Sequence, residues 1–150
     1  MDAVTYPNNK VGKFIMDHMV PMRVPYDEKP LSFDFSVTWT PTILTLDSLG
    51  KEHQRTVGFL APDEFIPSLM LGIAKVCSSS GNYSGARHFL EMLLKDYGRS
   101  DAVPEALYHR GVNFYKEKGD PKELKKAYEL LQKEYPASIW AKRAAPYRLL

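Results

Sequence analysis

The sequence holds a single cysteine, Cys77, among 150 residues. One thiol forms no internal disulfide, so this chain's own side chains supply no dithiol redox chemistry. His18, His53, His88 and His109 are scattered with no pair four residues apart, and no Cys/His cluster has zinc spacing. Long apolar runs are missing too; no window nears the roughly 18 uninterrupted apolar residues that a membrane span needs. Neither a glycine-rich phosphate loop nor a nucleophile elbow occurs. No catalytic residue, metal or cofactor is therefore expected. The adjacent acids Asp27 and Glu28 point apart in a loop, and Asp63 and Glu64 sit where a helix N-terminus favours negative charge. Both pairs are set aside as acid–base candidates. The opening residues Met1 to Lys10 lack a basic stretch followed by an apolar one. A cytoplasmic location is the default expectation, open to change by a segment upstream.

What is present is the composition of a globular chain, 44% hydrophobic and 25% charged. The net charge of +2 conceals an asymmetry: residues 110–150 carry 10 Lys/Arg against 5 Asp/Glu, and residues 1–109 carry 10 against 13. The lysines alternate with glutamates, as in Lys116-Glu117-Lys118. That interleaving favours a solvated helix face over a nucleic-acid partner.

In the first sixty residues, Lys10 to Met19 reads as a helix with Val11, Phe14, Ile15 and His18/Met19 on one face, capped by Asn9. Val20, Met22 and Val24 alternate, which predicts a strand, with Pro21 placing it at an edge or a strand start. Residues 25–30 read as loop. Thr42–Asp47, a turn at Ser48-Leu49-Gly50, and Gln54–Phe59 read as an antiparallel hairpin, on their β-branched density and the turn glycine.

The run Val37-Thr38-Trp39-Thr40-Pro41-Thr42-Ile43-Leu44-Thr45-Leu46-Asp47, then Gly50, Arg55 and Gly58-Phe59, resembles the thioredoxin superfamily. The resemblance covers about residues 1–75 and implies a cis bond before Pro41, followed by a hairpin and the last helix of that fold. It also implies that Thr40 offers its backbone to an extended peptide beside the Trp39 ring. In that family a core strand and a Cys-x-x-Cys would precede the first residue here. Three arrangements stay open: an upstream start, a strand donated by another chain, or direct closure of the flanking strands. An exposed edge invites pairing, so either a homodimer through that edge or a truncated chain is expected.

Offsetting the chain against itself by 38 residues aligns Leu69 with Leu107, Gly81 with Gly119, Asn82 with Asp120, and Leu93 with Leu131. Lys95 meets Lys133, Asp96 meets Glu134, Tyr97 meets Tyr135 and Ser100 meets Ser138. Each unit reads helix, tight turn, helix, break. Phe65, Ile66, Leu69, Met70, Ile73, Ala74 and Cys77 form one apolar stripe, and Ala86, Phe89, Leu90, Leu93, Leu94 and Tyr97 the facing one. In the second unit, Ala106, Leu107, Gly111, Phe114 and Tyr115 face Leu124, Ala127, Tyr128, Leu131 and Tyr135. Gly119 suits a left-handed C-cap, and Asp120-Pro121 an N-cap followed by proline at the first helical position. Ser138 to Tyr147 reads as a capping helix that covers the end with Trp140 and Ala144.

Gly81-Asn82-Tyr83-x-x-Ala86, Glu105-Ala106-Leu107-Tyr108-x-x-Gly111 and Tyr135-Pro136-x-Ser138-x-Trp140-Ala141 resemble tetratricopeptide repeats, the last two the longer repeats of cell-envelope proteins. The expected fold is thus α/β followed by α. A partial thioredoxin-like sheet spans 1–62, tetratricopeptide-like helix pairs span 63–150, and a shared helix over 63–78 fuses them rigidly. Glu105, Tyr108, Val112 and Lys116, with Asn113 nearby, are expected on the concave face, where such grooves take peptides or partner helices. Trp39, Thr40 and Pro41 are the other peptide-binding candidates. Cys77 is expected to be buried and inert. The function expected is a non-catalytic, redox-inactive protein-interaction module. The alternative is a thiol–disulfide oxidoreductase whose Cys-x-x-Cys lies upstream.

Overall fold

The computed structural model describes all of residues 1–150, and they divide into two compact units, Met1–Ile66 and Pro67–Leu150. The architecture is α/β, a small open antiparallel sheet followed by a series of paired helices.

In the first unit, helix α1 spans Asn9–His18 and buries Val11 and Phe14. Its cap is Asn8 rather than Asn9: the Asn8 side chain accepts from the backbone N–H of Lys10 at 2.9 Å and of Val11 at 3.3 Å. Two asparagines in a row offer the same capping oxygen, and the earlier one gives the helix one more residue. Residues 20–24 form no strand. Val20 is 95% and Met22 71% exposed, and the sheet holds only two strands, both further along the chain. Alternation sets which way side chains would point, but a strand also needs a ladder partner. This segment has none, and Pro21 and Pro25 lack the N–H to make one. A four-residue helix α2, Leu31–Asp34, follows the cis Lys29–Pro30 bond.

Strand β1, Thr42–Leu46, begins after the cis Thr40–Pro41 bond that the thioredoxin resemblance implies, and pairs antiparallel with β2, Glu52–Val57. The turn between them is held by Asp47, whose Oδ1 accepts from the N–H of Leu49 at 2.9 Å and of Lys51 at 3.0 Å. Its Oδ2 meets Nε2 of His53 at 2.9 Å, and Gly50 takes a φ of +78° that favours glycine. The buried residues of this unit are few: Val11, Phe14, Phe65, Ile66 and Thr5, whose hydroxyl donates to the Leu60 carbonyl at 2.5 Å.

Helix α3 spans Pro62–Ser79. Asp63 and Glu64 occupy its first turn, where the orphan N–H groups favour negative charge. Pro67 lies inside it and withholds the N–H that would reach the Asp63 carbonyl. In the second unit α3 leads through Gly81 (φ +80°) to α4, Tyr83–Asp96, whose Asn82 cap accepts from the Gly85 N–H at 2.9 Å. Then follow α5, Val103–Lys118, and α6, Lys122–Glu134. Gly119 closes α5 in the left-handed conformation expected of it, at φ +70°, with its N–H on the Tyr115 carbonyl at 2.7 Å. The helix after it starts at Lys122, one residue beyond the expected site, and Asp120 Oδ1 accepts the Lys122 N–H at 2.9 Å.

Short turns make these neighbours antiparallel, and their facing stripes supply the core: Leu69, Ala86, Leu90, Leu93, Ala106, Leu107, Leu124, Ala127 and Leu131 are all buried. Tyr115 departs from its expected stripe and is exposed. The α5–α6 crossing is close because Gly111 faces Ala127; a Cβ on Gly111 would lie 2.6 Å from that of Ala127. The expected capping helix breaks in two, α7 over Ile139–Ala144 and a 3-10 turn over Ala145–Leu149. Pro146 explains the break, since it brings no N–H and its ring collides with the carbonyl four residues back. Ser138 caps α7 through a 3.0 Å bond from the Ala141 N–H. None of the helices is long and apolar enough to cross a membrane.

Candidate functional site

The second unit carries a groove of about 350 Å³ between α3 and α5, with Tyr147 of the 3-10 turn at its side. Tyr108, Val112, Asn113 and Lys116 present themselves to it from α5, at the three- and four-residue steps that keep side chains on one helix face. Leu71, Ala74, Lys75, Ser78 and Ser79 line it from α3, and Leu90 from α4. Four of the five expected α5 residues therefore converge. Glu105, one turn before Tyr108, does not line the groove; it is tied to Lys75 and has Nε2 of His109 3.6 Å away. Burial pushes the Glu105 carboxyl up, and the His109 imidazole and Lys75 ammonium beside it outweigh that, holding it below the ordinary glutamate value.

Asn113 is the most enclosed polar residue of the site, 1% exposed. Its Nδ2 donates to the His109 carbonyl at 2.8 Å, one turn back on the same helix. Its Oδ1 meets no donor from the protein. Farther along, the Tyr108 and Tyr147 hydroxyls lie 2.9 Å apart and the two rings stack at 5.8 Å. Trp140 packs 5.1 Å from the Tyr108 ring and 5.4 Å from the His109 ring. Ala144, on the same short helix as Trp140, is fully buried.

Lys75, Ser78, His109 and Tyr147 were not marked by their own local sequence. The internal repeat held the signal for two of them: the 38-residue offset carries Val112, Asn113 and Lys116 onto Ala74, Lys75 and Ser78, all on the groove wall. The same offset carries Tyr147 onto His109 and His109 onto Leu71, all on the groove wall but none of them a sequence candidate.

The other candidates belong to the first unit. Trp39 is 67% exposed, Thr40 is exposed and Pro41 half-buried. The Trp39 carbonyl accepts the Thr42 hydroxyl at 2.6 Å, and the Pro41 carbonyl accepts the Gly58 N–H at 2.8 Å. Cys77 is half-buried rather than enclosed, and burial pushes its thiol up, away from the reactive thiolate. No three His, Cys, Asp or Glu side chains gather as a metal site would require.

Residues 105–138 match the tetratricopeptide repeat family model. The match takes in most of α5, all of α6 and the turn up to the Ser138 cap. No curated protein and no solved structure gives a match. The match is confined to the helix pair α5–α6, so tetratricopeptide-like character is shown for this stretch of the C-terminal helices.

Proposed function

We propose that this chain is a non-catalytic protein-interaction module that receives a peptide segment in the α3–α5 groove of its second unit. The observation that carries this reading is the convergence of Tyr108, Val112, Asn113 and Lys116 on one groove within the repeat region. Apolar floor residues with a few directed polar groups are what a peptide groove requires. The test is selection of displayed peptides on the full chain, followed by affinity measurements on the Val112→Asp variant. Selected peptides lose at least about tenfold in affinity if a buried apolar contact becomes a charge. Peptides indifferent to that substitution refute the reading.

The first unit is read as a partial thioredoxin-like element without redox activity. The order of β1, the Gly50 turn, β2, Gly58-Phe59 and α3 supports this. In it, Trp39, Thr40 and Pro41 form a second peptide-binding candidate, exposed at the entry to β1. Both outer edges of the two-stranded sheet are unpaired. An isolated hairpin is marginal in water, which supports pairing of two copies through that edge; a monomer by light scattering at high concentration refutes the pairing. The oxidoreductase alternative finds no support in the side chains present, and insulin reduction at background rate by this chain is the expected result.

A further inference from the structure

The interleaving of lysine with glutamate stops at Glu134. Residues 135–150 hold Lys142, Arg143 and Arg148 and no Asp or Glu. All three cations are exposed and none makes an ion pair; the Arg143 guanidinium lies 4.6 Å over the Trp140 ring. Large apolar side chains of the same segment stand in water: Ile139 is 56%, Leu149 81% and Leu150 48% exposed.

Spacing gathers these groups. Ile139, Lys142 and Arg143 follow the three- and four-residue steps of one face of α7, opposite the buried Ala141 and Ala144. Pro146 and Leu149 then align at the three-residue period of the 3-10 turn. Hydrogen bonds hold this end in place. Lys125 Nζ donates to the Leu150 carbonyl at 2.7 Å, the Leu150 N–H to the Tyr147 carbonyl at 3.2 Å, and the Tyr147 hydroxyl lies 2.9 Å from that of Tyr108. The basic and apolar groups are thus set before any partner arrives.

We infer that this surface of α7 and the 3-10 turn docks on an anionic lipid bilayer, with Lys142, Arg143 and Arg148 at the headgroup phosphates and Ile139 and Leu149 entering the acyl boundary. Charge complementarity sets the sign of the partner, since three unpaired cations in a segment without carboxylates suit a negative surface. The exposed aliphatic side chains choose among anionic partners. Nucleic acid offers phosphates, but its bases stack on aromatic rings and leave Ile139 and Leu149 unused. The boundary between headgroups and acyl chains takes both kinds of group. Attachment is to one leaflet, because no helix is long and apolar enough to cross. The α3–α5 groove contains none of these five side chains, so peptide binding there and docking here are separable.

The full chain is sedimented with vesicles of phosphatidylcholine alone, and of phosphatidylcholine with an equal part of phosphatidylglycerol. It is expected to pellet with the mixed vesicles only, and to be released by salt. Lys142→Gln with Arg148→Gln keeps the Arg143–Trp140 contact and is expected to weaken partitioning about 25-fold, at about fivefold for each charge near an anionic surface. Ile139→Ser with Leu149→Ser is expected to weaken it about tenfold with the salt dependence unchanged. Lys29→Gln with Lys51→Gln removes the same net charge from the first unit and is expected to leave partitioning as it was. Every substituted side chain is exposed, so the melting temperature is expected to hold.

No sedimentation with the mixed vesicles, or undiminished partitioning in Lys142→Gln with Arg148→Gln, overturns the inference. An equal loss in Lys29→Gln with Lys51→Gln also overturns it, because net charge and not this surface then governs binding. Full binding in Ile139→Ser with Leu149→Ser, together with release from the vesicles by duplex DNA, makes the surface a general polyanion site and overturns the lipid reading.

Discussion

Tyr97 and Tyr135, 38 residues apart, end α4 and α6 in the same way: each donates its N–H to a leucine carbonyl, Leu93 at 2.8 Å and Leu131 at 2.9 Å. Each also accepts, on its own carbonyl, the N–H of the serine three residues on, Ser100 at 2.9 Å and Ser138 at 3.0 Å. The repetition therefore extends from residue identity to the hydrogen bonds that close the helices. Gly81 and Gly119, at φ +80° and +70°, repeat the left-handed stop at the other end of each pair.

The paired glycines give the first prediction. Neither Gly81 nor Gly119 has any atom within 4 Å of where a Cβ would go, so space is not the obstacle to alanine. The obstacle is the left-handed backbone, which costs an L-residue roughly 1–2 kcal/mol. Gly81→Ala and Gly119→Ala are each expected to lower stability by about that much in urea denaturation. Their effects should match, because the two turns do the same job. A loss at one position only contradicts the equivalence of the turns.

How much of this was legible in the sequence follows from what kind of information each feature needs. Gly119 at the end of α5 and the stripes of Leu90, Leu93 and Leu131 are local or periodic and emerge as read, as does the hairpin around Gly50, except that its second strand runs Glu52–Val57 rather than Gln54–Phe59. Residues 20–24 misled because side-chain alternation carries no information about the neighbour a strand requires. Pro146 was in plain view, yet its effect on the last helix was masked by the apolar pattern from Trp140 to Tyr147. On the groove, α5 was readable as a face, whereas Tyr147 enters by a return of the chain that no local pattern encodes.

Gly111 is a different kind of glycine, required by approach rather than by backbone angle. A Cβ there would fall 2.6 Å from Ala127 Cβ and 3.0 Å from the Glu123 carbonyl oxygen. Gly111→Ala is expected to destabilise by about 1–3 kcal/mol through overpacking. Gly12, inside α1 with no atom within 4 Å of the added carbon, is the control. There alanine is expected to stabilise by about 0.4–1 kcal/mol. Combining Gly111→Ala with Ala127→Gly should recover part of the loss, since the two positions share one crossing.

The Glu105 carboxyl, held below the ordinary glutamate range, makes stability depend on acid. With a folded value depressed relative to the unfolded one, its contribution is fully present above about pH 4.3, the usual glutamate value. It is lost as pH falls through the depressed folded value, because the unfolded chain takes up the proton first. Glu105→Gln is expected to flatten the fall of the melting temperature across that acid window. It also removes the Glu105–Lys75 ion pair, so the neutral-pH melting temperature should drop as well. An unchanged acid limb in the variant refutes the assignment.

Tyr147 makes the opposite dependence at high pH. Burial, and then the hydroxyl of Tyr108 at 2.9 Å, push its phenol up to about 12. A raised folded value means the neutral phenol is the form the fold prefers. Its contribution is complete below about pH 10, the usual tyrosine value, and is lost as pH rises through the folded value. The phenolate absorbance of the native chain should therefore show Tyr147 as the slowest component, behind the exposed tyrosines and behind Tyr6, which burial and then the Asp2 carboxylate push up less far. Tyr147→Phe should remove that lagging component while leaving Tyr108 and the stacked rings in place. If the late-titrating component survives in Tyr147→Phe, the hydroxyl pair is not what holds this phenol neutral.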